Sequence, residues 1–425
     1  MSSTSPGSTA AAAEALTAGG LRGFGKRTLY TLGKYPDFRV LWLGNVGTML
    51  AQWVQFVAQG WLIFELTNSP FQIGAVAFVR GATTLGVSPF AGAITDRFNR
   101  KTVLVVMTAI SSVVGTLLAF LVITHLISVW MLYLTATVDG LAEAVNQPAR
   151  QVMIYDVVGA EDLPNSIAVN SLGGNTMRIA GPALGGALIG AFGVGAAFIV
   201  QAAAYLFSSA ATSRIKARGE PSGRHTASVV ESMRDGLRYA RGHPDVRLLV
   251  FMAALPSILV YPYVSFIPVF AEDVLHSGST GYGFLASAVG YGSIIGAVIA
   301  ANFSNVTKRG QILVWTTFIY MALVTIFALS NNYALSFTLL VVAGIANSTY
   351  LMFNQVMIQL VVHDDYRGRV ISLYVMVSGI TPFSALLMGA LIDVFGAQLT
   401  VAGFTGLASL IVLFIGVTSR RLREI

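Results

Sequence analysis

Long apolar runs, separated by short polar segments, make up most of the chain. About 20 consecutive apolar residues cross the roughly 30 Å hydrocarbon core of a bilayer as a helix. The sequence predicts twelve such spans, numbered in chain order: 38–64, 71–94, 102–124, 128–149, 166–190, 194–213, 248–271, 282–303, 311–330, 334–361, 370–392 and 397–418. Since backbone polar groups in lipid must bond internally, the pattern predicts an all-α membrane protein.

Composition agrees with this class. Of the 425 residues, 55% are hydrophobic and 11% are charged, whereas soluble domains carry about 25% charged residues. Cysteine is absent, the Gly-Lys pair at 25–26 lacks the Ser or Thr of a phosphate-binding loop, and the histidines are isolated. Neither a disulfide, a nucleotide loop nor a metal site is therefore expected. We expect no cofactor and no enzyme activity.

Basic residues indicate orientation and domains. Arg80 and Arg178 excepted, the 26 Lys and Arg residues lie in or beside alternate polar segments, beginning with the amino-terminal one. The positive-inside rule then places both termini in the cytoplasm. The net charge of +7 reflects this topology, so no nucleic-acid partner is expected. The predicted domains are a disordered tail (1–34), a six-helix bundle (35–213), a cytoplasmic linker (214–247) with an amphipathic helix on the inner leaflet, a second six-helix bundle (248–418) and a tail (419–425).

The two predicted bundles repeat each other. "QVMIYDVV" at 151–158 recurs as "QVMIQLVV" at 355–362, and "GALIGAFG" at 186–193 recurs as "GALIDVFG" at 389–396. Two parallel six-helix repeats with substrate held between them are typical of secondary transporters.

Short motifs resemble a known family. "GAITDRFNRK" at 92–101 resembles the signature of the Major Facilitator Superfamily between helices 2 and 3, with Asn99 in place of a glycine. "RIAGPALGG" at 178–186 is similar to the Gly-Pro motif on helix 5 of its exporters, although Met177 and Arg178 depart from the pattern. "FRVLWLGN", "LTNSP", "QPARQ" and "DDYRGRV" together resemble the branch of enterobactin and macrolide exporters, which are drug:proton antiporters.

The resemblance implies a gate at the cytoplasmic ends of the helices. On the family's pattern Asp96 caps the amino end of span 11, and we expect Arg100 to pair with Asp156, both only when the inner mouth is shut. The alternative is that these charges only anchor the topology. The predicted gate residues are Gly92, Asp96, Arg97, Arg100, Lys101, Arg150, Asp156, Asp365, Arg367 and Arg369.

Four ionisable residues lie well inside the spans: Arg80, Asp139, Glu143 and Arg178. Each adds at least about 2.5 kcal/mol to insertion, so such residues usually face a cavity and a partner. We expect Asp139 or Glu143 to carry a proton during transport, with Arg178 as the movable countercharge. A structural ion pair between Asp139 and Arg178 is the alternative.

Neutral polar residues predict a substrate cavity. In span 1 they recur at steps of three and four, giving one polar face that serves either as a cavity wall or as interhelical bonding. Aromatic rings and amides with few charges suit an amphipathic organic molecule. The predicted cavity residues are Asn45, Gln52, Gln55, Gln59, Asn146, Asn175, Tyr261, Tyr263, Tyr291, Asn347, Tyr350, Asn354, Tyr374 and Ser378, together with Thr48 on the span 1 stripe.

Glycines spaced by four residues predict close packing of spans 5 and 8, from opposite bundles. The residues are Gly181, Pro182, Gly185, Gly186, Gly190, Gly292 and Gly296. Ordinary packing within one bundle is the alternative.

Together these features predict a monomeric secondary transporter of the plasma (inner) membrane. Its expected partners are a small-molecule substrate, protons and the lipid bilayer. We expect proton-coupled efflux of an amphipathic drug or siderophore. An uptake symporter, a lipid or metabolite carrier, and a non-transporting receptor or scaffold are the alternatives.

Overall fold

The structure, a computed structural model, describes residues 30–217, 229–302 and 308–419. Within these ranges the regular elements are all helical. Their bounds are α1 Pro36–Thr67, α2 Pro70–Arg97, α3 Arg100–Ile123, α4 Val129–Val158, α5 Leu163–Phe192, α6 Val194–Ser213, α7 Val229–Gly242, α8 Pro244–Leu259, α9 Gly278–Asn302, α10 Arg309–Leu329, α11 Tyr333–Val361, α12 Asp364–Ser378, α13 Thr381–Phe395 and α14 Ala397–Thr418. The predicted all-α fold is confirmed for this part of the chain.

Eight of the described segments are long and apolar enough to cross a bilayer. They are Pro70–Gly92, Arg100–Ile123, Val194–Ser213, Pro244–Val274, Gly278–Ala300, Arg309–Leu329, Tyr333–Val361 and Ala397–Thr418. The helices α1, α4 and α5 have 32, 30 and 30 residues, and they carry the polar face of span 1 and the charged residues Asp139, Glu143 and Arg178. Their polar faces lower the mean hydropathy although their lengths suffice to cross a bilayer.

Two predicted spans are interrupted. Span 7 begins as α8 and continues as a 3₁₀ turn, Tyr261–Phe266, a short helical segment, Ile267–Val269, and a π turn, Phe270–Val274. Span 11 breaks between α12 and α13, where Gly379 and Ile380 lie outside both helices and Pro382 is the second residue of α13. Proline has no backbone N–H and restricts the preceding residue, so each break follows from local sequence.

The repeated motif makes the same turn twice. Gly193 joins α5 to α6 with φ of 82°, and Gly396 joins α13 to α14 with φ of 79°. Residues with a side chain rarely adopt positive φ, whereas glycine does so freely. The final glycine of each "GALI" repeat therefore ends one helix and starts the next in both halves of the sequence.

In the part of the chain that the structure describes, buried apolar residues form two clusters, which differ in the parts of the sequence that they join. The larger cluster contains residues of both sequence halves, among them Val54, Ile63, Tyr282 and Leu285. The smaller one lies entirely between residues 38 and 215 and includes Phe38, Leu104, Met153 and Ile215. We call the end where α1 meets α2 the predicted outer end, and the end where α2 meets α3 the predicted inner end. The smaller cluster lies at the predicted inner end of the first half.

Among the described residues, the two sequence halves meet mainly along two helix pairs, α2 with α13 and α5 with α9. A methyl group built on Gly74 would lie 2.5 Å from the carbonyl oxygen of Ala385, and one built on Gly81 would overlap the ring of Pro382. Nearer the predicted inner end, methyl groups built on Gly86 and Gly92 would meet no described atom within 4 Å. The described parts of the halves are thus closely packed at the predicted outer end, whereas these two glycines nearer the predicted inner end have no close neighbour among the described atoms.

Candidate functional site

A cavity of about 440 Å³ lies between the two sequence halves. We call it the central cavity. Its lining residues are Phe56, Gln59, Gly60, Ile63, Ile73, Val76, Ala77, Arg80, Gly81, Thr84, Leu85, Glu143, Tyr261, Ser265, Tyr282, Gly379 and Pro382. The volume lies in the range of small-molecule sites, and the wall is largely apolar, as is usual for them.

One ion pair lies in this wall. Arg80 on α2 donates from Nη2 and Nε to Oε2 of Glu143 on α4, at 2.9 and 3.1 Å. Gly140 allows this approach, because a methyl group built on it would lie 2.5 Å from the backbone carbonyl oxygen of Arg80. The Glu143 side chain is 40% exposed and that of Arg80 is 25% exposed. Both charges can therefore be reached by a molecule in the central cavity.

Asp139 lies one helical turn away and is hidden. It is 5% exposed and accepts a hydrogen bond from the side-chain amide of Gln55. Tyr205 on α6 in turn donates to Oε1 of Gln55 at 3.3 Å. The amide is thus held in the orientation that presents its NH₂ group to the carboxylate, and this fixes Asp139 against α1.

A second, smaller pocket of about 10 Å³ lies behind the ion pair. This volume is close to the least that holds one water molecule. Its lining residues are Gln52, Gln55, Arg80, Ser111, Asp139, Ala142, Glu143, Asn146 and Tyr205. Arg80 and Glu143 line both spaces, so they form the partition between the central cavity and Asp139.

In this structure the arginine beside the acids is Arg80 and not Arg178, so the role of Arg178 as movable countercharge stays a prediction. Arg178 donates to Oγ of Ser293 on α9 at 2.9 Å, and the cation beside Glu143 is Arg80. The expected pair of Asp139 with Arg178 is not formed. Position along a helix gives the depth of a charge, but only helix packing decides which neighbour it faces, and α5 turns Arg178 toward α9.

The predicted polar face of α1 divides between two roles. Gln59 lines the central cavity, and Gln52 and Gln55 line the smaller pocket with Asn146. Asn45 donates to Asn170 at 3.0 Å and Thr48 lies 2.7 Å from the hydroxyl of Ser208, so these two form interhelical bonds. Part of the stripe therefore lines the two described spaces and part of it makes interhelical bonds.

Of the cavity residues predicted in the second half, Tyr261 lines the central cavity. Tyr263, Asn347, Tyr350 and Asn354 are buried among helices instead. Tyr350 stacks on Tyr320, and Asn354 donates to the carbonyl oxygen of Leu249 at 3.2 Å. Three further predicted residues lie outside the cavity wall: Asn175 and Tyr291 are exposed and Tyr374 is half-buried. The side chain of Ser378 lies outside the described residues.

Several lining residues were not predicted. Tyr282 packs on Trp61 with ring centroids 6.2 Å apart, and Gly60 leaves room for its hydroxyl. Phe56, Ile73 and Val76 add apolar wall. No signal in a single sequence separates an apolar cavity wall from an apolar core. The Gly81 and Pro382 contact could have been proposed only from knowledge that α2 and α13 are neighbours.

The helices α5 and α9 do pack together, but through partly different glycines. Gly186 faces Gly283 so closely that a methyl group built on it would lie 2.6 Å from the Gly283 Cα, and the Pro182 carbonyl oxygen also faces Gly283. Gly190 faces Thr280. The other predicted glycines pack within one sequence half. Gly181 and Gly185 face α1, and Gly292 and Gly296 face α11.

An acidic cap across the halves closes the predicted outer end. Oδ2 of Asp393, near the carboxyl end of α13, accepts hydrogen bonds from Ser69 Oγ at 3.1 Å and Phe71 N at 3.3 Å. These groups lie at the amino end of α2, where backbone N–H groups lack helical partners. Gly389 brings α13 close enough, since a methyl group built on it would lie 2.7 Å from the Pro70 carbonyl oxygen.

Removing this cap is expected to open the predicted outer end. Loss of a capping side chain costs about 0.5–2 kcal/mol. Asp393→Ala should therefore shift the equilibrium between closed and open forms of the predicted outer end toward the open form by roughly 2- to 30-fold. Distances between spin labels on Glu65 and Val394, on α1 and α13, would measure the shift. Asp273→Ala, which removes an exposed acid elsewhere, is the control. An unchanged distance distribution in Asp393→Ala would contradict the assignment.

At the predicted inner end, the described ion pairs and side-chain hydrogen bonds join residues within one sequence half or join a half to the linker. Arg100 pairs with Asp156 at 2.8 Å, and Lys101 donates to the Ile215 carbonyl oxygen at 2.6 Å. The pairing of Arg100 with Asp156 is found as expected, but it links α3 to α4 and so does not require a shut inner mouth. Arg369 pairs with Asp235 of α7 at 3.2 Å, which was not foreseen.

The remaining predicted gate residues add no described link between the halves. Arg97 is exposed, Gly92 faces open space, and Arg150 is mostly buried. The side chains of Asp96, Asp365 and Arg367 lie outside the described residues, so the predicted cap by Asp96 stays a prediction. Nearby, Lys34 and Tyr35 donate to Asp162, and these hydrogen bonds lower the pKa of that carboxyl.

Comparison with known proteins adds a family and a fold. The sequence pattern of the family described as transmembrane secretion effector, a group of Major Facilitator Superfamily proteins, matches residues 33–425. The chain is 24% identical to the staphyloferrin A transporter of Staphylococcus aureus, over 84% of this chain and 88% of that protein. It is 24% identical to the multidrug efflux pump Tap of Mycolicibacterium fortuitum, over 88% and 93%. It is 23% identical to the enterobactin exporter EntS of Escherichia coli (O1:K1 / APEC), over 92% of each.

Solved structures with the same fold are also transporters. The nucleoside transporter NupG superposes with a TM-score of 0.71 at 12% identity, covering 90% of this chain and 98% of that one. A bacterial homologue of the human lysosomal transporter Spinster, in an inward-facing and occupied conformation, gives a TM-score of 0.70 at 15% identity, covering 91% and 97%. At these identities the likeness shows the fold alone.

Proposed function

The chain belongs to the transmembrane secretion effector family of the Major Facilitator Superfamily of membrane transporters, and from this membership we propose that it exports amphipathic organic molecules in exchange for protons. The observation that carries the proposal is the cluster of Asp139, Arg80 and Glu143 at the wall of the central cavity. We further propose that the chain crosses the plasma membrane twelve times, has both termini in the cytoplasm and acts as a monomer. The moving parts are residues 35–213 and 248–418, joined by a linker at 214–247.

The charges of the cluster support proton exchange. Two carboxylates share one arginine, so the cluster carries a net charge of −1 when both acids are ionised and is neutral when one is protonated. Burial favours the neutral form of an acid, and a neighbouring cation favours the carboxylate. Because Glu143 holds Arg80 at 2.9 Å while Asp139 has only the neutral Gln55, we assign the proton to Asp139.

The partition by Arg80 and Glu143 would couple proton and substrate. A substrate in the central cavity touches the ion pair, and Asp139 lies on the other side of that pair. Any pull of the substrate on Arg80 or Glu143 changes the field at Asp139. Outward opening would then release substrate and admit a proton, and the protonated, neutral cluster would return inward. This cycle moves protons in as substrate moves out.

The cavity supports the substrate class. Its wall combines aromatic and aliphatic side chains with one ion pair, which suits a molecule with a large apolar surface and few charges. The relatives carry the names of siderophore and multidrug transporters. A phosphate or a simple ion is usually bound by several fixed charges, whereas the described wall of the central cavity has one ion pair.

Flux in reconstituted vesicles tests the function. Purified protein in proteoliposomes with an imposed pH gradient should move a fluorescent amphipathic compound against its gradient, and a protonophore should abolish this. Substrate flux parallel to the proton flux would instead indicate symport. No substrate-dependent flux across a broad compound panel would overturn the transporter proposal for this chain.

Filling the central cavity is expected to weaken substrate binding. Ala77 lines the cavity, so Ala77→Phe should raise the KM for a bulky substrate by about tenfold, consistent with the 1–3 kcal/mol that shape mismatch typically costs. Ala203→Phe places the same group on an exposed position of α6 and is the matched control. Equal KM values for both variants, with normal expression, would argue that substrate binds elsewhere.

A further inference from the structure

The linker helix α7 is docked on α12. The Tyr239 ring stacks on Tyr366 with centroids 4.4 Å apart, and Asp235 pairs with Arg369 at 3.2 Å. Gly236 permits the contact, since a methyl group built on it would lie 2.5 Å from the Arg369 carbonyl oxygen. The sequence predicted only that this helix lies on the inner leaflet. One of its faces is instead held by the second half of the chain.

A cavity of about 280 Å³ opens between α7 and α12. We call it the linker cavity. Its lining residues are Asp235, Arg238, Tyr239, Gly242, His243, Tyr366 and Arg369. Two guanidinium groups and an imidazole face one carboxylate. The Arg238 side chain is 71% exposed, and its contact with Asp235 is long, at 3.6 Å. The linker cavity therefore has an excess of positive charge.

The free face of α7 is basic with one apolar residue. Four exposed residues, spaced three, one and three positions apart, form this face: Arg234, Leu237, Arg238 and Arg241. Such a face suits the boundary between headgroups and acyl chains, where leucine enters the apolar layer and arginines meet phosphates. Each basic residue near an anionic leaflet contributes about 1 kcal/mol of attraction.

A groove with both apolar and charged lining residues begins at the residue that follows the linker cavity in the chain. It has a volume of about 530 Å³ and is lined by Pro244, Asp245, Arg247, Leu248, Phe251 and Ser419. The linker cavity ends at Gly242 and His243, and the groove begins at the next residue, Pro244. Phe251 is 42% exposed on the first turns of α8. The linings of the two spaces thus include consecutive residues of the chain, His243 and Pro244.

We propose that the linker cavity binds the phosphate headgroup of an anionic membrane lipid, whose acyl chain lies along the groove beside Leu248 and Phe251. Arg238 and Arg369 would donate to the phosphate oxygens, as guanidinium groups do in paired geometry. Tyr239 and Tyr366 form part of the same wall. This lipid site is separate from the central cavity and independent of which substrate is exported.

Retention of phosphatidylglycerol through purification tests the proposal. Native mass spectrometry of the full chain should show bound phosphatidylglycerol after equilibration with mixed micelles, and not phosphatidylcholine. Arg238→Gln should weaken retention at least tenfold, and Arg369→Gln by a similar factor. Arg214→Gln, an exposed arginine outside the linker cavity, should change it less than twofold.

Two results would overturn the proposal. One is equal retention by Arg238→Gln and Arg214→Gln. Because Arg238 is largely exposed, its replacement leaves the α7 contacts intact, so misfolding does not obscure the comparison. The other is displacement of the lipid by millimolar inorganic phosphate, which would identify a site for free phosphate without acyl contacts. Replacing Phe251 with serine should lower retention of the lipid and leave inorganic phosphate binding unchanged.

Discussion

Asp139→Asn is expected to abolish uphill, proton-driven transport while leaving downhill movement of substrate. The asparagine keeps the size of the side chain and can still bond Gln55. It removes the variable charge, so that Arg80 and Glu143 form a permanently neutral pair. Accumulation against a gradient should fall to the level of empty vesicles, whereas exchange without a pH gradient should stay within about threefold of the unmodified protein.

The same count of charges in the cluster predicts that replacing Glu143 also abolishes proton-driven transport. In Glu143→Gln, Arg80 is free to neutralise Asp139, and the cluster again has a fixed charge of zero. The single variants and the double variant should therefore all lose proton dependence. This non-additive pattern is typical of residues that act as one unit. Two acids acting independently would give a larger loss in the double variant than in either single one.

The controls remove exposed acids from other parts of the chain. Asp273→Asn and Glu65→Gln make the same chemical changes outside the cluster, and both should transport normally. The measurement is substrate accumulation in proteoliposomes over a series of imposed pH gradients. Full uphill, pH-dependent transport by the double variant would falsify the assignment of the proton to this cluster.

The second large effect is expected at the contact of α5 with α9. In Gly186→Val the new side chain would overlap the Gly283 backbone, since even a methyl group would lie 2.6 Å from the Gly283 Cα. Backbone atoms on two packed helices cannot move aside as a flexible side chain can. The variant should therefore be unable to close its predicted outer end, and transport should fall at least tenfold.

Cysteine labelling can report this closure directly. The chain has no cysteine, so Ser265→Cys gives a single thiol in the wall of the central cavity. A membrane-impermeant maleimide added outside should label it faster in Gly186→Val than in the parent. Gly403→Val is the matched control, because a methyl group built on Gly403 meets no described atom within 4 Å. Slow labelling of both variants would show that this contact does not control closure.

Hydrophobic periodicity predicted the helices well, because an apolar run in lipid has no other way to satisfy its backbone. The turn after each "GALI" repeat was encoded equally locally, in Gly193 and Gly396. The break between α12 and α13 was missed because Gly379 and Pro382 lie in an otherwise apolar run.

Side-chain partners were less predictable than helices. The four ionisable residues within the spans were identified because charges are costly in lipid. Which of the two arginines, Arg80 or Arg178, lies beside the acids depends on how the helices pack. Arg80 reaches Glu143 because Gly140 lets α2 and α4 touch, which is a contact between residues 60 apart in the sequence. Tyr263 and Tyr350 were assigned to a cavity by their chemistry alone, yet aromatic residues serve equally well as core.

The position of Asp393 bears on how little free energy separates the two conformations. Its carboxylate bonds the amino end of α2 while the predicted outer end is shut. If Asp96 at the opposite end of α2 bonds α12 as the family's pattern predicts, each rocking motion breaks one acid-to-helix contact and makes another of the same kind. The exchange is then nearly isoenergetic, and about 5.5 kcal/mol of differential binding would carry the population from 1:99 to 99:1. A proton and a weakly bound solute can together supply that bias.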